Sequence, residues 1–446
     1  MSAATLPSPM EQAVFRKIAW RIAPILMLSY FGCYLDRANV GFAALTMNRD
    51  LGLTATAYGF GAGIFYFGYA LVEVPSNLIL ARVGARRWLA RIMASWAIIS
   101  GLTAFAWNDT SFFVLRFLLG VAEAGFAPGI IYYLACWTPR RQRGRMVALS
   151  LVSATLSGAI GSPVSGWVIS SFGGVAGLAS WQWLFLLEAL PSLVMAVVVF
   201  LFLRDTPNEA PWLEPAERDW LNRELAVEQA EQQAQHSFSV LSALVDRRVL
   251  GFCLVYFTVS AGSASVSFWA PQIVKGFGVT VQQVGWLLAV PNLVAAIGMV
   301  VWARHSDRTG ERRFHVLSSM SITALGVLCA TFQDAPLVAM IGITLATFGT
   351  WATVAVFWTL PTSLLTGAAA AGAVALINSL GNLGGFFGPS IVGWVKDLSG
   401  GSYAIGMVVV AVGLMAGGSL AVRLGRFTSR RSPAETPPQV VSRAAE

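Results

Sequence analysis

Charge is what this chain has least of. Only 12% of its 446 residues are Asp, Glu, Lys or Arg, against 56% hydrophobic, and the mean hydropathy is +0.65. A soluble domain carries about twice that share of charge, so a soluble globular fold is excluded. Histidine is rarer still: His236, His305 and His315 lie in or beside arginine-rich loops, and no metal or catalytic group can be assembled from them. Cys33, Cys136, Cys253 and Cys329 stand singly in four apolar stretches. Their spacing suits neither a disulfide framework nor a metal site, so they read as small packing residues. The chain offers no nucleophile–base pair for an enzyme. It has no G-x-x-x-x-G-K-[ST] loop for a nucleotide-driven pump. The opening "MSAATLPSPM" has no charged segment and no small-residue cleavage site, so it is no cleaved signal, and the first apolar stretch is expected to serve as the insertion signal itself.

What is abundant is apolar sequence in runs of about 20 residues, long enough to cross a hydrocarbon core as helices. Twelve spans are expected, near 19–45, 55–81, 88–107, 111–136, 144–170, 181–203, 249–274, 281–303, 315–332, 336–360, 369–394 and 402–423. The fold class is therefore an all-α membrane protein. Lys and Arg fall overwhelmingly at one end: 25 of them flank the N-terminus, the even-to-odd loops and the tail. The other end has Arg49, Lys275 and Lys396, while Arg37 and Arg116 lie inside spans. Positive charge stays on the cytoplasmic side, so both termini are expected inside. The net charge of +8 is then a topology signal rather than a nucleic-acid footprint.

The chain reads as two copies of one unit. "RVGARR" at 82–87 returns as "RTGERR" at 308–313, and "GSPVSGWV" from Gly161 returns as "GPSIVGWV" from Gly388. Both the loop pair and the pair Pro163/Pro389 are separated by 226 residues, close to half the chain. Two unrelated motifs with one offset point to a duplicated six-helix unit, a transporter architecture. The expected division is 1–203 for the first half, 204–247 for a cytoplasmic linker, 248–424 for the second half and 425–446 for a disordered tail. The linker contains "PWLEPAERDWLNRELAVEQAEQQ", an amphipathic helix with Trp212, Leu213, Trp220 and Leu221 on its apolar side. The tail is rich in Arg, Pro and Ser, and its Arg430 and Arg431 suit anionic lipid.

The twelve spans, the six-plus-six repeat and the paired R-x-G-x-R-R loops resemble the major facilitator superfamily. "YLDRANVGFA", "EVPSNLILARVGARRW", "RFLLGVAEAGFAPGIIYY" and "LINSLGNLGGFFGP" are similar to its anion:cation symporter family, whose bacterial members carry tartrate, phthalate, hydroxyphenylacetate or galactonate. The resemblance implies an inner-membrane transporter that is monomeric and needs no cofactor beyond a coupling ion, H⁺. It further implies that the loops latch the two halves on the inner side, through Gly84, Arg86 and Arg87 in the first copy and Asp307, Arg308, Gly310, Arg312 and Arg313 in the second. Gly84 and Gly310 suit a turn with positive φ. Asp307 is placed to cap a helix or pair with an arginine, whereas the first copy has Ala81 in its place and Glu73 nearby. Gly158, Gly161 and Gly166, repeated as Gly384, Gly388 and Gly393, allow close helix contact.

Charges inside the spans carry the chemistry. An ionised group at mid-helix costs about 2.5–3.5 kcal/mol on insertion scales, so each needs a partner. Asp36 and Arg37 are neighbours, about 100° apart around a helix, and face different ways. Arg116 and Glu123, two turns apart in the fourth span, are expected to supply partners. All four lie about 8–18 Å from the outer end at about 1.5 Å per residue. This suits an organic anion moving with protons: an arginine holds a carboxylate bidentately, and substrate and protein carboxylates compete for it. The family resemblance assigns Asp36 and Glu123 to proton coupling and Arg37 and Arg116 to the anion. It adds Tyr34, Tyr69, Trp358 and Asn378 as substrate-lining residues, with Asn382 an alternative to Asn378. Glu73 and Glu188 read as structural or gating acids. The expected function is proton-coupled uptake of a small organic anion. An antiporter or exporter would use the same charges, and a transporter-like sensor would be told apart by a flux assay.

Overall fold

The computed structural model describes residues 9–234, 246–364 and 368–429, and among them every regular element is helical. The first half comprises α1 (Pro9–Asp50), α2 (Ala55–Val83), α3 (Ala85–Leu102), α4 (Asp109–Glu123), α5 (Phe126–Trp137), α6 (Arg140–Ser171) and α7 (Ser180–Phe202). The linker helix is α8 (Pro215–Ala234). The second half comprises α9 (Arg247–Lys275), α10 (Val281–Thr309), α11 (Arg313–Cys329), α12 (Pro336–Phe357), α13 (Thr359–Leu364), α14 (Ala368–Asn382), α15 (Gly384–Leu398) and α16 (Ala404–Ser429). Among the described residues ten helical stretches are long and apolar enough to cross a membrane, and α11 is a shorter apolar helix. The pair α14 and α15 occupies the eleventh expected span, with a break at Leu383. Residues 235–245 of the linker, with His236, and 430–446 of the tail lie outside the described residues.

Short polar turns at the end opposite the arginine-rich loops start the helices. Asn108 accepts the Ser111 N–H at 2.8 Å to begin α4, and Thr280 with Gln283 forms a reciprocal capping box for α10. Such caps satisfy N–H groups that a helix leaves unpaired.

The halves meet along α2 with α15 and α6 with α10, and glycine sets how closely. A Cβ on Gly63 would lie 2.7 Å from the Phe386 carbonyl oxygen, and one on Gly166 3.0 Å from that of Val281. Gly59 and Gly393 likewise press on the backbone of the opposite half, at Pro389 and Ala55. In contrast, Gly161, Gly384 and Gly388 pack within their own halves, against Leu35, Phe257 and Ala261.

The outer ends are also joined by Asp397, in the last turn of α15 and beyond the expected span. Its carboxylate accepts the N–H groups of Ala55 (3.2 Å) and Thr56 (2.7 Å) and the Thr56 hydroxyl (2.5 Å), capping α2 from across the interface. Burial works against its charge, but the Thr56 hydroxyl and these N–H groups prevail and hold the carboxyl below its ordinary value. A lowered value means the cap contributes above the ordinary carboxylate pKa, about 3.9, and is lost only as the pH falls below that. Closure of the outer end is therefore expected to be pH-independent near neutrality. Asp397→Ala should loosen it at any pH above that value, read as faster labelling of a cysteine placed on the cavity wall.

At the other end the linker packs onto the first half. Lys17 reaches Glu217 at 2.7 Å and Arg143 reaches Glu228 at 2.9 Å. Trp212 stacks on Trp137 with ring centres 5.5 Å apart, and Leu213 and Leu221 are buried.

Candidate functional site

Helix α1 turns three nearby polar side chains in two directions. Tyr34 and Arg37 face a cavity between the halves, and Asp36 faces α3 and α7. The cavity measures about 140 Å³, and Arg37 is the only ionisable acid or base other than tyrosine on its wall among the described residues. That is small beside the roughly 300–1,000 Å³ of drug-sized ligand sites. Its other walls are Tyr66, Asn292, Thr347, Thr350 and Trp351, with serines of α6 and α9. Trp351 meets Tyr34 across the interface at 5.5 Å between ring centres.

Arg37 is held by one carboxylate and three rings. It forms an ion pair with Glu123, which is fully buried. The Cys33 thiol donates to the same Glu123 oxygen, at 3.0 Å, and the other oxygen has no partner. The guanidinium lies 5.3 Å from the ring centres of Tyr34, Phe65 and Tyr69, a cation–π setting worth more once water is excluded. The place of Glu123 depends on a helix break. Gly125 has φ 90°, ending α4 at Glu123, and the freed Ala124 carbonyl accepts the Ser76 hydroxyl at 2.7 Å. Glu123 therefore sits at a helix terminus beside the cavity, where transporters commonly interrupt their helices.

Arg116 is fully buried two turns before Glu123 on α4, over Phe65. Its Nη2 donates to the Ala62 carbonyl at 3.3 Å, and Nε and Nη1 have no partner. Asp36 takes three donors instead of an arginine: Trp96 Nε1 (3.1 Å), Ser100 (2.8 Å) and Ser192 (2.6 Å). The expectation that α4 partners both members of the Asp36–Arg37 pair is thus met for Arg37, while α3 and α7 serve Asp36, because a 100° turn points it there.

The remaining expected residues are spread wider. Tyr69 is buried against Arg37. Asn378 and Ser379 donate to the two oxygens of Glu73, tying α14 to α2. Trp358 packs on Tyr256 and Phe357, two turns from Trp351 and off the cavity wall. Trp351, Tyr66 and Asn292 escaped sequence reading; Tyr66, three residues before Tyr69, shares its face and was the one with a signal.

The repeated loops keep their glycines at positive φ, 97° for Gly84 and 67° for Gly310. Asp307 pairs with Arg312 at 2.7 Å, and Arg313 approaches Glu311 at 3.7 Å. In the first copy the acid comes from a distance: Asp205 accepts the Arg86 N–H at 2.7 Å beside Gly84. Glu73, the nearby candidate, is committed to Asn378 and Ser379. Arg87 and Arg308 are exposed. Among the described residues no group of three or more His, Cys, Asp or Glu could hold a metal.

A bundle of membrane-crossing helices whose two halves meet around a small cavity with a single cation on its wall has the architecture of a membrane transporter. Residues 26–389 match the family described as the Major Facilitator Superfamily, and the chain belongs to it. It is a multi-pass secondary transporter and not an enzyme. A relative named "Putative tartrate transporter", from Agrobacterium vitis, is 49% identical over 421 residues, covering 94% of this chain and 93% of the relative. The Inner membrane transport protein RhmT of Escherichia coli (strain K12) is 34% identical over 379 residues, covering 84% and 87%. Among solved structures, a bacterial homolog of the human lysosomal transporter Spinster superposes with a TM-score of 0.73 at 16% identity, covering 96% of this chain and 100% of that one. That likeness concerns the fold.

Proposed function

We propose that the protein imports a small hydroxy-dicarboxylate, with tartrate as the first candidate, in symport with protons across a bacterial inner membrane. The observation that carries this reading is that Arg37 belongs to the cavity and to Glu123 at once. A substrate carboxylate that takes Arg37 strips Glu123 of its cation. A buried carboxylate without a cation is unfavourable, so Glu123 takes a proton, and substrate and proton load together. Release reverses the exchange. The neutral wall of Thr347, Thr350 and Asn292 suits hydroxyl groups, and the two unpartnered nitrogens of Arg116 strengthen the positive potential. The tartrate name of a relative at 49% identity supports the substrate class.

Uptake into proteoliposomes under an imposed pH gradient tests it. Glu123→Gln and Asp36→Asn are each expected to lose gradient-driven accumulation at least tenfold. If both keep it, the coupling assignment fails. In a competition panel of tartrate, a sugar acid, phthalate and hydroxyphenylacetate, tartrate is expected to compete best.

A further inference from the structure

The seam between α1 and α7 carries polar groups that the cavity does not use. At its outer end Trp181 donates to Asp50 at 3.0 Å, and the hydroxyls of Thr46 and Ser180 lie 3.4 Å apart. At its inner end Ser192 donates to Asp36. Between them Glu188 is buried, with one oxygen accepting the Ser165 hydroxyl at 2.6 Å and the other unpartnered. Asn39, one turn from Asp36, lies beside that carboxyl and is 1% exposed, yet neither of its amide atoms has a well-formed hydrogen bond. An unsatisfied buried polar group costs about 1–3 kcal/mol. A buried carboxyl with one well-formed donor, Ser165, and a poorly aligned Asn39 amide beside it is under-satisfied for an ionised group. Buried Ala43 and Leu184 separate this point from the outer pair, so the seam is not a continuous wet path.

We propose that Glu188 is a second protonation site, which exchanges a proton with Asp36 by a route separate from the substrate cavity. The proposal rests on the reading of Asp36 as a coupling carboxylate. In the transfer, Glu188 gives up the proton on its free oxygen. The Ser192 hydroxyl, one turn along α7, is not in contact with that oxygen in this structure; once the Glu188 side chain swings toward it, the hydroxyl accepts the proton on a lone pair while donating its own to Asp36. Glu188 ends as a carboxylate and Asp36 as an acid, and one proton has moved. Asn39 positions the carboxyl: its N–H faces the ionised form and its carbonyl the protonated one. Asp36 is an ionisable group that interacts with Glu188. Helix α6 presents Ser165, and α3 presents Trp96 and Ser100 to Asp36. Arg37 is engaged by Glu123 on the cavity side.

The test uses proteoliposomes with tartrate and an internal pH dye, comparing the natural chain with Glu188→Gln, Glu188→Asp, Asn39→Leu and Asp36→Asn. Glu188→Gln is expected to exchange tartrate for tartrate within about threefold of the natural rate. Its gradient-driven accumulation and its tartrate-dependent acidification should both fall at least tenfold. Asn39→Leu should show the same split, and Glu188→Asp should restore part of the coupling. If Glu188→Gln and Asn39→Leu accumulate normally while Asp36→Asn does not, the relay is overturned and the coupling reading stands. If Glu188→Gln loses exchange and accumulation equally, Glu188 is structural and the relay is again overturned. If Glu188→Gln does not assemble, Asn39→Leu decides alone. If the natural chain exchanges tartrate but ignores the gradient, the coupling reading itself falls.

Discussion

Arg37→Lys is expected to abolish measurable uptake although it keeps the positive charge. Arg37 serves Glu123 and the cavity together, and a guanidinium does this through a planar fork of five donors. A lysine ammonium is a compact point charge on a flexible stem; it can satisfy Glu123 or the substrate but cannot be shared between them with bidentate geometry. It also gives up stacking against Tyr34, Phe65 and Tyr69. Breaking one side of a buried, hydrogen-bonded charge pair costs about 2–5 kcal/mol, which is about 30-fold to more than 1,000-fold in affinity. Tartrate binding measured by thermal shift or calorimetry checks this directly. Retention of near-natural affinity in Arg37→Lys would mean that charge alone recruits the anion and that sharing with Glu123 is incidental.

Gly63→Val is the second large effect, and it acts on the cycle rather than on the substrate. The added Cβ would lie 2.7 Å from the Phe386 carbonyl oxygen and 3.0 Å from its Cα. Both are backbone atoms of α15 that cannot swing aside, so the clash is relieved by parting the halves. Overpacking of this kind costs about 1–3 kcal/mol. Because the clash exists only while α2 and α15 are in contact, the cost falls on the outer-closed state and shifts the population toward the outer-open one. Turnover is expected to fall at least tenfold with binding preserved. A cysteine at Ser267, on the cavity wall, should react with an impermeant maleimide from the outer side. Normal turnover with no gain in labelling would show that the α2–α15 contact does not set closure.

Much of this protein was legible in one dimension because a membrane imposes simple rules. Roughly 20-residue apolar runs must be helices, and arginine placement orients them. The duplicated "RVGARR" and "RTGERR" loops gave the repeat and, correctly, two glycines at positive φ. The charges at 36, 37, 116 and 123 were conspicuous for the same reason: in hydrocarbon an ionised group needs an explanation.

What could not be read was which way each charge faces and how far apart things lie. Neighbours on a helix diverge by 100°, so Asp36 and Arg37 had to part. Only the packing of α3 and α7 against α1 decided that Asp36 meets Trp96, Ser100 and Ser192. Trp351 and Trp358 share a face two turns apart, and only helix depth puts the first on the cavity wall. Gly125 carries no local mark that sets it apart from the other glycines of the apolar runs, yet it ends α4 beside Glu123. Asp205 partners a loop 119 residues away, a contact no local pattern encodes. Composition and hydropathy thus determined by themselves that this chain is a multi-span helical membrane protein with ionisable groups at 36, 37, 116 and 123 inside its spans. The rotation, depth and breaks of its helices decided which charges meet, because those depend on neighbours distant in sequence.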